Sequence, residues 1–393
     1  VKPKRITPSA SGYLAAVEPR TIGIEEELLL VDPATRHVSP RSQRVLQQAT
    51  HRRSHSPDRS EEDLDKELFR HQLETRTPPA ADISEVREHV VAQRRAAAGA
   101  AERAGVVTVA SGTSPVATGE LRITRDDRYL AMVALYGEIA RTGGICGMHV
   151  HVQVDSDEQG VAVIDRLVPW LPVLLAISAN SPYSQGHDTG YESWRSQVWA
   201  QWPSAGPTER FGSLEVYQEV SRRLIATGAA RDRGMLYFDA RLSVENPTVE
   251  VRISDVCADP DDGVLIAALV RSLVMRFADA GPDATDTGTC PPWRAELLQA
   301  AQWRAARFGL SDRMLSPTTV ELSPAREVLA QLVATVRDQL EACGDTAFVH
   351  DGLERVLAGG GASRQRAAYE RSGGDITAVV DDLVVRTNAC HRR

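Results

Sequence analysis

No C-x-x-C pair occurs in this chain. Its five cysteines, Cys146, Cys257, Cys290, Cys343 and Cys390, are odd in number and scattered, which argues against a disulfide framework, a zinc knuckle or a redox couple and fits a reducing cytoplasm. No GxxxxGK[ST] loop and no GxGxxG turn after a strand are present, so a triphosphate would be held neither by a P-loop nor by a Rossmann turn. A G-x-S-x-G elbow and an evident nucleophilic cysteine are also missing, which leaves covalent catalysis without a candidate. Basic residues are no more abundant than acidic ones. With 45 against 53 and a formal net charge of -8, the chain has no global attraction to nucleic acid or anionic lipid. The first twenty residues, VKPKRITPSASGYLAAVEPR, are basic but have no continuous apolar core, and no later stretch is expected to reach the length of a bilayer span. A soluble, unprocessed cytoplasmic protein is the expectation, and a homo-oligomer is left open.

What is present is enough apolar sequence, 42% of 393 residues, for one large domain or two smaller ones. Residues 1–20 read as a loose polar leader, and His51 to Asp63 as an exposed loop. Asp82 with Glu85 forms a capping-box-like start to a helix that Gly105 stops. A helix is expected over 124–142, and another over 161–179 that Pro169 and Pro172 should bend. The Gly-, Pro- and Asp-rich stretch 279–293 is the best linker. Beyond it the pattern is mostly helical, at 293–308, 324–343, 351–358 and 375–388. Gly359, Gly360 and Gly361 read as a helix end rather than a phosphate loop.

Strand parity carries the functional signal, because alternate side chains of a strand point to opposite faces. In TIGIEEELLLV, Ile22, Ile24, Leu28 and Leu30 share a face with Glu26, and Glu25 and Glu27 point the other way. HQLETRT aligns Gln72, Glu74 and Arg76. GMHVHVQV puts Met148, Val150, Val152 and Val154 on one side and His149, His151 and Gln153 on the other. LYFDARLS aligns Tyr237, Asp239, Arg241 and Ser243, and TVEVRIS aligns Thr248, Glu250, Arg252 and Ser254. A single such face is commonly just solvated. These five gather Glu, His, Gln and Arg and contain no lysine, which is the composition of a site. Several carboxylates with one or two histidines favour Mg or Mn over zinc. Mg usually shares its shell with substrate phosphates, and Arg195, Arg241 and Arg252 offer planar forks for phosphate oxygens. The H-x-H of His149 and His151 also allows a weaker reading as a zinc-type hydrolase.

The blocks GIEEELLLVDP, LETRTP, GTSP, GMHVHV, SANSPYSQGHDTGYESWRSQ, LYFDARLS, PTVEVRISDV, WRAARFGL and GASRQR resemble, in order and spacing from about Thr21 to about Thr387, the type 2 glutamate-cysteine ligases, or carboxylate-amine ligases. That resemblance implies a glutamine synthetase-like α+β fold: a curved, mainly antiparallel sheet with helices on its convex face and ATP and metal ions on its concave face. It also implies a single catalytic domain over 21–393. By match to the family's motifs, Glu25, Glu27, Glu67, Glu74, His149 and Glu250 are the implied metal ligands. Arg252 is the implied phosphate-binding arginine, and Arg195 contacts the substrate carboxylate or its phosphate. Arg195, Arg252 and Glu250 form the implied catalytic set, while Arg241 and His151 join Arg252 around the nucleotide. Glu26 is read as a rim or helix-facing residue, Trp194, Trp199 and Trp202 as core or pocket wall, and Asp188 and Tyr191 as shaping the substrate loop. The implied reaction joins a carboxylate such as that of L-glutamate to an amine such as L-cysteine. Its rivals are the hydrolase and a non-catalytic nucleotide-binding member.

Overall fold

The structure is a computed structural model that describes residues 18–53, 64–119, 121–142, 144–279, 293–389 and 391. Its centre is a seven-stranded antiparallel sheet. In chain order the strands are β1 (Ile22–Val31), β2 (Leu64–Lys66), β3 (Gln72–Arg76), β4 (Val107–Val109), β5 (Gly147–Gln153), β8 (Ala240–Leu242) and β9 (Thr248–Asp255), with a small hairpin of β6 (Tyr183–Ser184) and β7 (His187–Asp188) between β5 and β8. The strand order is β2-β3-β1-β5-β9-β8. At ten residues, β1 is long enough to pair β5 along its first half and β4 along its second, on the edge opposite β3. The five expected strands therefore all lie in one sheet, as the α+β expectation requires.

Ile22, Ile24, Met148, Val150, Val152, Val249, Val251 and Ile253 form the apolar face and are buried. Helices Ile83–Arg103, Asp157–Leu167, Leu171–Ser178 and Pro260–Ala278 pack against the sheet. Glu26 lies on this face and is helix-facing. Its carboxylate takes Nη2 and Nε of Arg94, from helix Ile83–Arg103, at 2.6 and 2.8 Å. Arg94 also donates to the carbonyls of Cys257 and Ala258. A fully buried ion pair tolerates burial only when its remaining donors are satisfied in this way.

Several expectations need correction. The helix Ser42–Arg53 runs through His51 to Arg53, where a loop was expected, and residues 54–63 lie outside the described residues. The 124–142 helix is two, Asp127–Tyr136 and Glu138–Thr142, split at Gly137 with φ 60°. The 324–343 helix is likewise two, Ala325–Thr335 and Arg337–Cys343, joined at Val336. Segment 157–178, 22 residues long, does have the length and apolar composition of a bilayer span, contrary to expectation. It consists of helix Asp157–Leu167, a 3-10 turn Val168–Trp170 carrying Pro169, and helix Leu171–Ser178, and its side chains are mostly buried in the core.

Helices Ser42–Arg53, Leu214–Ala226, Pro260–Ala278 and Gly361–Arg371 were not anticipated. Of the expected leader, residues 1–17 lie outside the described residues, while Arg20 is tied to Asp155 at 2.7 Å. Of the expected linker, 280–292 lie outside as well. The C-terminal part is helical apart from the hairpin of β10 (Arg313–Leu315) and β11 (Leu322–Pro324). Its last helix, Ile376–Thr387, docks on β4 through Thr387 Oγ1, which accepts from the Ala110 amide at 2.9 Å, and Asn388, which bonds Thr108.

Removing one partner of a buried pair strands the other charge. Glu26→Ala should lower the unfolding free energy by about 3–5 kcal/mol, read from urea denaturation midpoints. A loss indistinguishable from that of an exposed glutamate would show that the pair does not anchor the helix to the sheet.

Candidate active site

The face opposite the apolar one opens into a cavity of about 730 Å³. Strand register lays its polar residues in rows. Asp65, Glu74 and Glu27 lie across β2, β3 and β1, and Arg76, Glu25 and His149 lie across β3, β1 and β5. His151, Glu250 and Arg241 lie across β5, β9 and β8. A register shift between Met148 and Val150 lets His149 lean toward Arg252. Glu25, Glu27, Glu67, Glu74, His149, His151, Arg195, Arg241, Glu250 and Arg252 all line this cavity. The residues expected from separate segments are therefore brought together.

Within the cavity the acidic groups form two clusters, Glu25–His151–Glu250 and Glu27–Glu67–Glu74, each with one potential ligand atom per residue inside a mutual 4.8 Å. His151 Nε2 stands 3.6 Å from Glu25 Oε1. Its Nδ1 lies 3.0 Å from Thr248 Oγ1, which fixes the ring. His149 sits between these groups, with Nδ1 3.0 Å from Glu25 Oε2 and 3.4 Å from Arg252 Nη1. The geometry thus puts His151, which the resemblance placed at the nucleotide, into a three-residue cluster, and turns His149 toward Glu25 and Arg252. His151 Nε2, Arg195 Nε and Arg252 Nε are buried without a hydrogen-bond partner among the described residues. Oxygen-rich clusters beside unsatisfied guanidinium groups fit a hard divalent cation with a phosphorylated ligand.

The two clusters differ in protonation. Burial would raise Glu25, yet hydrogen bonds and charge from His149 and His151 hold it far below the ordinary carboxylate range. Glu250 is likewise buried but held low by Arg252 and Arg241. In the other cluster, burial and the Glu27 charge push Glu67 up to about 7. Burial and the charges of Glu67 and Glu25 push Glu74 well above its ordinary value. Burial and Arg252 keep the His149 imidazole toward its neutral form.

The three arginines are not equivalent. Arg241 places Nε and Nη2 on Glu250 at 2.8 and 3.1 Å and Nη1 on the carbonyls of Gly234 and Leu236, so its donors serve the protein. Arg252 gives Nη1 to Glu250 and lies 5.9 Å from the ring centres of Trp199 and Tyr237. Arg195, on helix Trp194–Trp199, donates to the carbonyls of Ile253 and Arg252 at 3.2 and 3.3 Å, with Asp255 at 4.0 Å. Asp255 is fully buried and accepts from the Asn180 amide, Ser181 Oγ and Ser193 Oγ at 2.9, 2.6 and 2.8 Å. A Cβ on Gly147 would lie 2.2 Å from Arg195 Nη2, so only glycine lets this guanidinium pass beneath β5.

Sequence reasoning missed Asp255, although its parity with Val249, Val251 and Ile253 marked a carboxylate on the apolar side. It also missed the pair Arg128–Asp232 at the cavity wall. Trp199 and Trp202 do line the cavity, and Trp194 packs on Tyr191. Asp188 and Tyr191 do not line it. Asp188 pairs with Arg366, and Tyr191 accepts from Trp303.

A sequence model of glutamate-cysteine ligase family 2 matches residues 21–382. A Nocardioides sp. protein named as a candidate glutamate–cysteine ligase 2-1 is 53% identical over 375 residues, covering 94% of this chain and 96% of that protein. A Streptomyces coelicolor protein named as a candidate glutamate–cysteine ligase 2 is 45% identical over 374 residues, covering 94% and 99%. Among solved structures, a Francisella tularensis glutamate–cysteine ligase in complex with AMP superposes with a TM-score of 0.66 at 11% identity, covering 96% of this chain and 90% of that one. A bifunctional glutathione synthetase from Pasteurella multocida gives 0.65 at 16% identity, covering 96% of this chain and 53% of that one. At such identities the structures speak to the fold.

Two outcomes follow from the electrostatics. Because the folded chain holds the Glu67 proton up to about 7 while the unfolded chain releases it near the ordinary 4.5, the native state binds more protons between those values. Relative to a Glu67→Gln variant, in which the oppositely titrating His71 and His149 remain, stability in EDTA should therefore fall as pH rises through that interval. Mg²⁺, which binds ionised carboxylates, should offset the fall and release protons on binding; a wild-type minus variant difference in denaturation midpoint that is flat in pH would contradict the raised Glu67. Separately, Asp255→Asn should loosen Arg195. Phenylglyoxal should then modify Arg195 at least about tenfold faster, while buried Arg271 stays protected. Equal rates in wild type and variant would rule out Asp255 as its anchor.

Proposed function

We infer the function of this chain from one premise: it belongs to glutamate-cysteine ligase family 2, and it is a carboxylate-amine ligase of the glutamate–cysteine ligase type. The finer reading is that ATP phosphorylates the γ-carboxylate of L-glutamate and that an amine, with L-cysteine the first candidate, displaces the phosphate. The observation that carries it is the meeting of two carboxylate clusters and two partly unsatisfied guanidinium groups in one cavity. Residues 21–393 are taken as one catalytic unit.

In this scheme a carboxylate oxygen of glutamate attacks the γ-phosphorus and ADP leaves. The amine nitrogen then attacks the acyl carbon, phosphate departs and the amine loses a proton. Bound Mg²⁺, or Mn²⁺, would neutralise the β and γ oxygens as charge shifts toward ADP. Glu25, His151 and Glu250 would hold one ion, and Glu27, Glu67 and Glu74 another. Arg241 fixes the rotamer of Glu250. Arg252, with Nε unsatisfied beside the clusters, takes phosphate oxygens, and Arg195 at the aromatic end takes the substrate carboxylate. Most of the rate enhancement would come from positioning and charge stabilisation, since no side chain needs to form a covalent bond to substrate.

Family membership gives no support to the hydrolase or to the non-catalytic reading.

ADP release should require ATP, a divalent cation, L-glutamate and an amine together. Glu250→Gln should lower kcat by about a hundredfold or more with the fold retained by circular dichroism. A panel of amines assayed at saturating ATP and glutamate identifies the second substrate. ADP release independent of both carboxylate and amine would reject the reading.

A further inference from the structure

A second cavity, of about 710 Å³, opens outside the active site and is bordered by Arg70, Arg122, Arg125 and Arg141, with Glu138 the acidic residue on its lining. None of these four guanidinium groups has an ion-pair or hydrogen-bond partner among the described residues. Elsewhere the surface arginines are commonly matched, as in Arg36–Asp381, Arg128–Asp232 and Arg326–Glu354. A chain with fewer basic than acidic residues does not gather four unpaired arginines through a surplus of charge. Glu120 lies outside the described residues.

Exposed arginines are often no more than a solvated surface, and Arg122, Arg125 and Arg141 are exposed. Two features set this group apart. It surrounds a concavity in the size range of small-molecule sites, where like charges repel unless an anion joins them. It is also wired to the backbone of the active site. The Arg70 amide donates to the Arg122 carbonyl at 2.8 Å, and the Thr124 amide donates to the Leu68 carbonyl at 2.9 Å. Thr124 Oγ1 donates to the Glu67 carbonyl at 2.5 Å, and Phe69 and Ile123 form a bridge. Segment 67–72 thus separates the two cavities: Glu67, Leu68 and Gln72 line the active one, and Arg70 lines the other.

We propose that this arginine-lined cleft is a second binding site, for a small polyanion carrying two or more phosphate or carboxylate groups. Planar guanidinium forks grip either group bidentately, and several forks around one cavity select for multiple charges. An occupant held by Arg70 and Arg122 would stiffen the paired segments that carry Glu67. The inference does not rest on the ligase reading.

The test is calorimetric titration of the full chain at about 0.15 M ionic strength without divalent cations, with pyrophosphate in one arm and citrate in the other. At least one anion should bind saturably with one-to-one stoichiometry, and the better arm names the chemistry of the ligand. The triple variant Arg122→Ala, Arg125→Ala, Arg141→Ala should weaken binding by at least about tenfold, while Arg252→Ala, which alters only the active cavity, leaves it unchanged. Failure of both anions to bind saturably overturns the proposal. So does binding that survives the triple variant, or binding that is abolished by Arg252→Ala.

Discussion

Three carboxylates whose oxygens can all fall within 4.8 Å of one another, as in Glu27, Glu67 and Glu74, repel each other in any fold, and the rest of the architecture answers that repulsion. Part of the answer is protonation, since burial and the neighbouring charges lift Glu67 and Glu74. Another part is Arg76, which contacts Glu74 at 2.5 Å and also reaches Glu25 and Asp65. The remainder is covalent and topological. Glu27 and Glu74 are opposed in a strand register that the apolar face locks, because a one-residue slip of β1 would turn Ile22 and Ile24 toward the cavity and Glu27 into the core. Cohesion of the apolar side therefore holds apart, and yet close, groups that would otherwise separate.

The same logic governs the buried charges beneath the site. Glu26 with Arg94 ties the first strand to a helix, and Asp255 with Ser181 and Ser193 braces Arg195 from below. Neither pair is placed to gain much net stability, given the cost of desolvating ions. Each instead fixes a side chain or strand whose position the cavity needs. The cavity side is left with unsatisfied atoms, Arg195 Nε and Arg252 Nε among them. Full pairing below and partial pairing above is the arrangement expected where a ligand supplies the missing partners.

Much of this was legible in one dimension. Period-two alternation in GIEEELLLV, LETR, GMHVHV and TVEVR separated the site face from the core face before any coordinates, and every residue it nominated with family support lines the cavity. The helix starting at Asp82 was readable from its cap, because the Asp82 side chain does accept from the amides of Ser84 and Glu85. Helix breaks at Gly137 and Val336 were less so, since apolar periodicity continues across them and only local backbone geometry ends the hydrogen-bond ladder. The apolar segment 157–178 was underestimated for a related reason: Asp157, Glu158, Asp165 and Arg166 punctuate it, and the fold buries Asp165 by giving its carboxylate the amides of Phe211 and Gly212.

The amino-acid sequence by itself determined which side chains face together along each strand, because parity is a property of the chain's own pleat. It also determined the family, through motifs preserved in order. Only the tertiary structure decided which atoms meet. It set both His149 and His151 beside Glu25 and joined His151 to Glu25 and Glu250 in one three-residue cluster, committed the donors of Arg241 to the protein, and set around a second cleft four arginines that have no partner among the described residues. Those outcomes depend on strand register, one bulge and the packing of distant segments, and such through-space relations have no signature in local order.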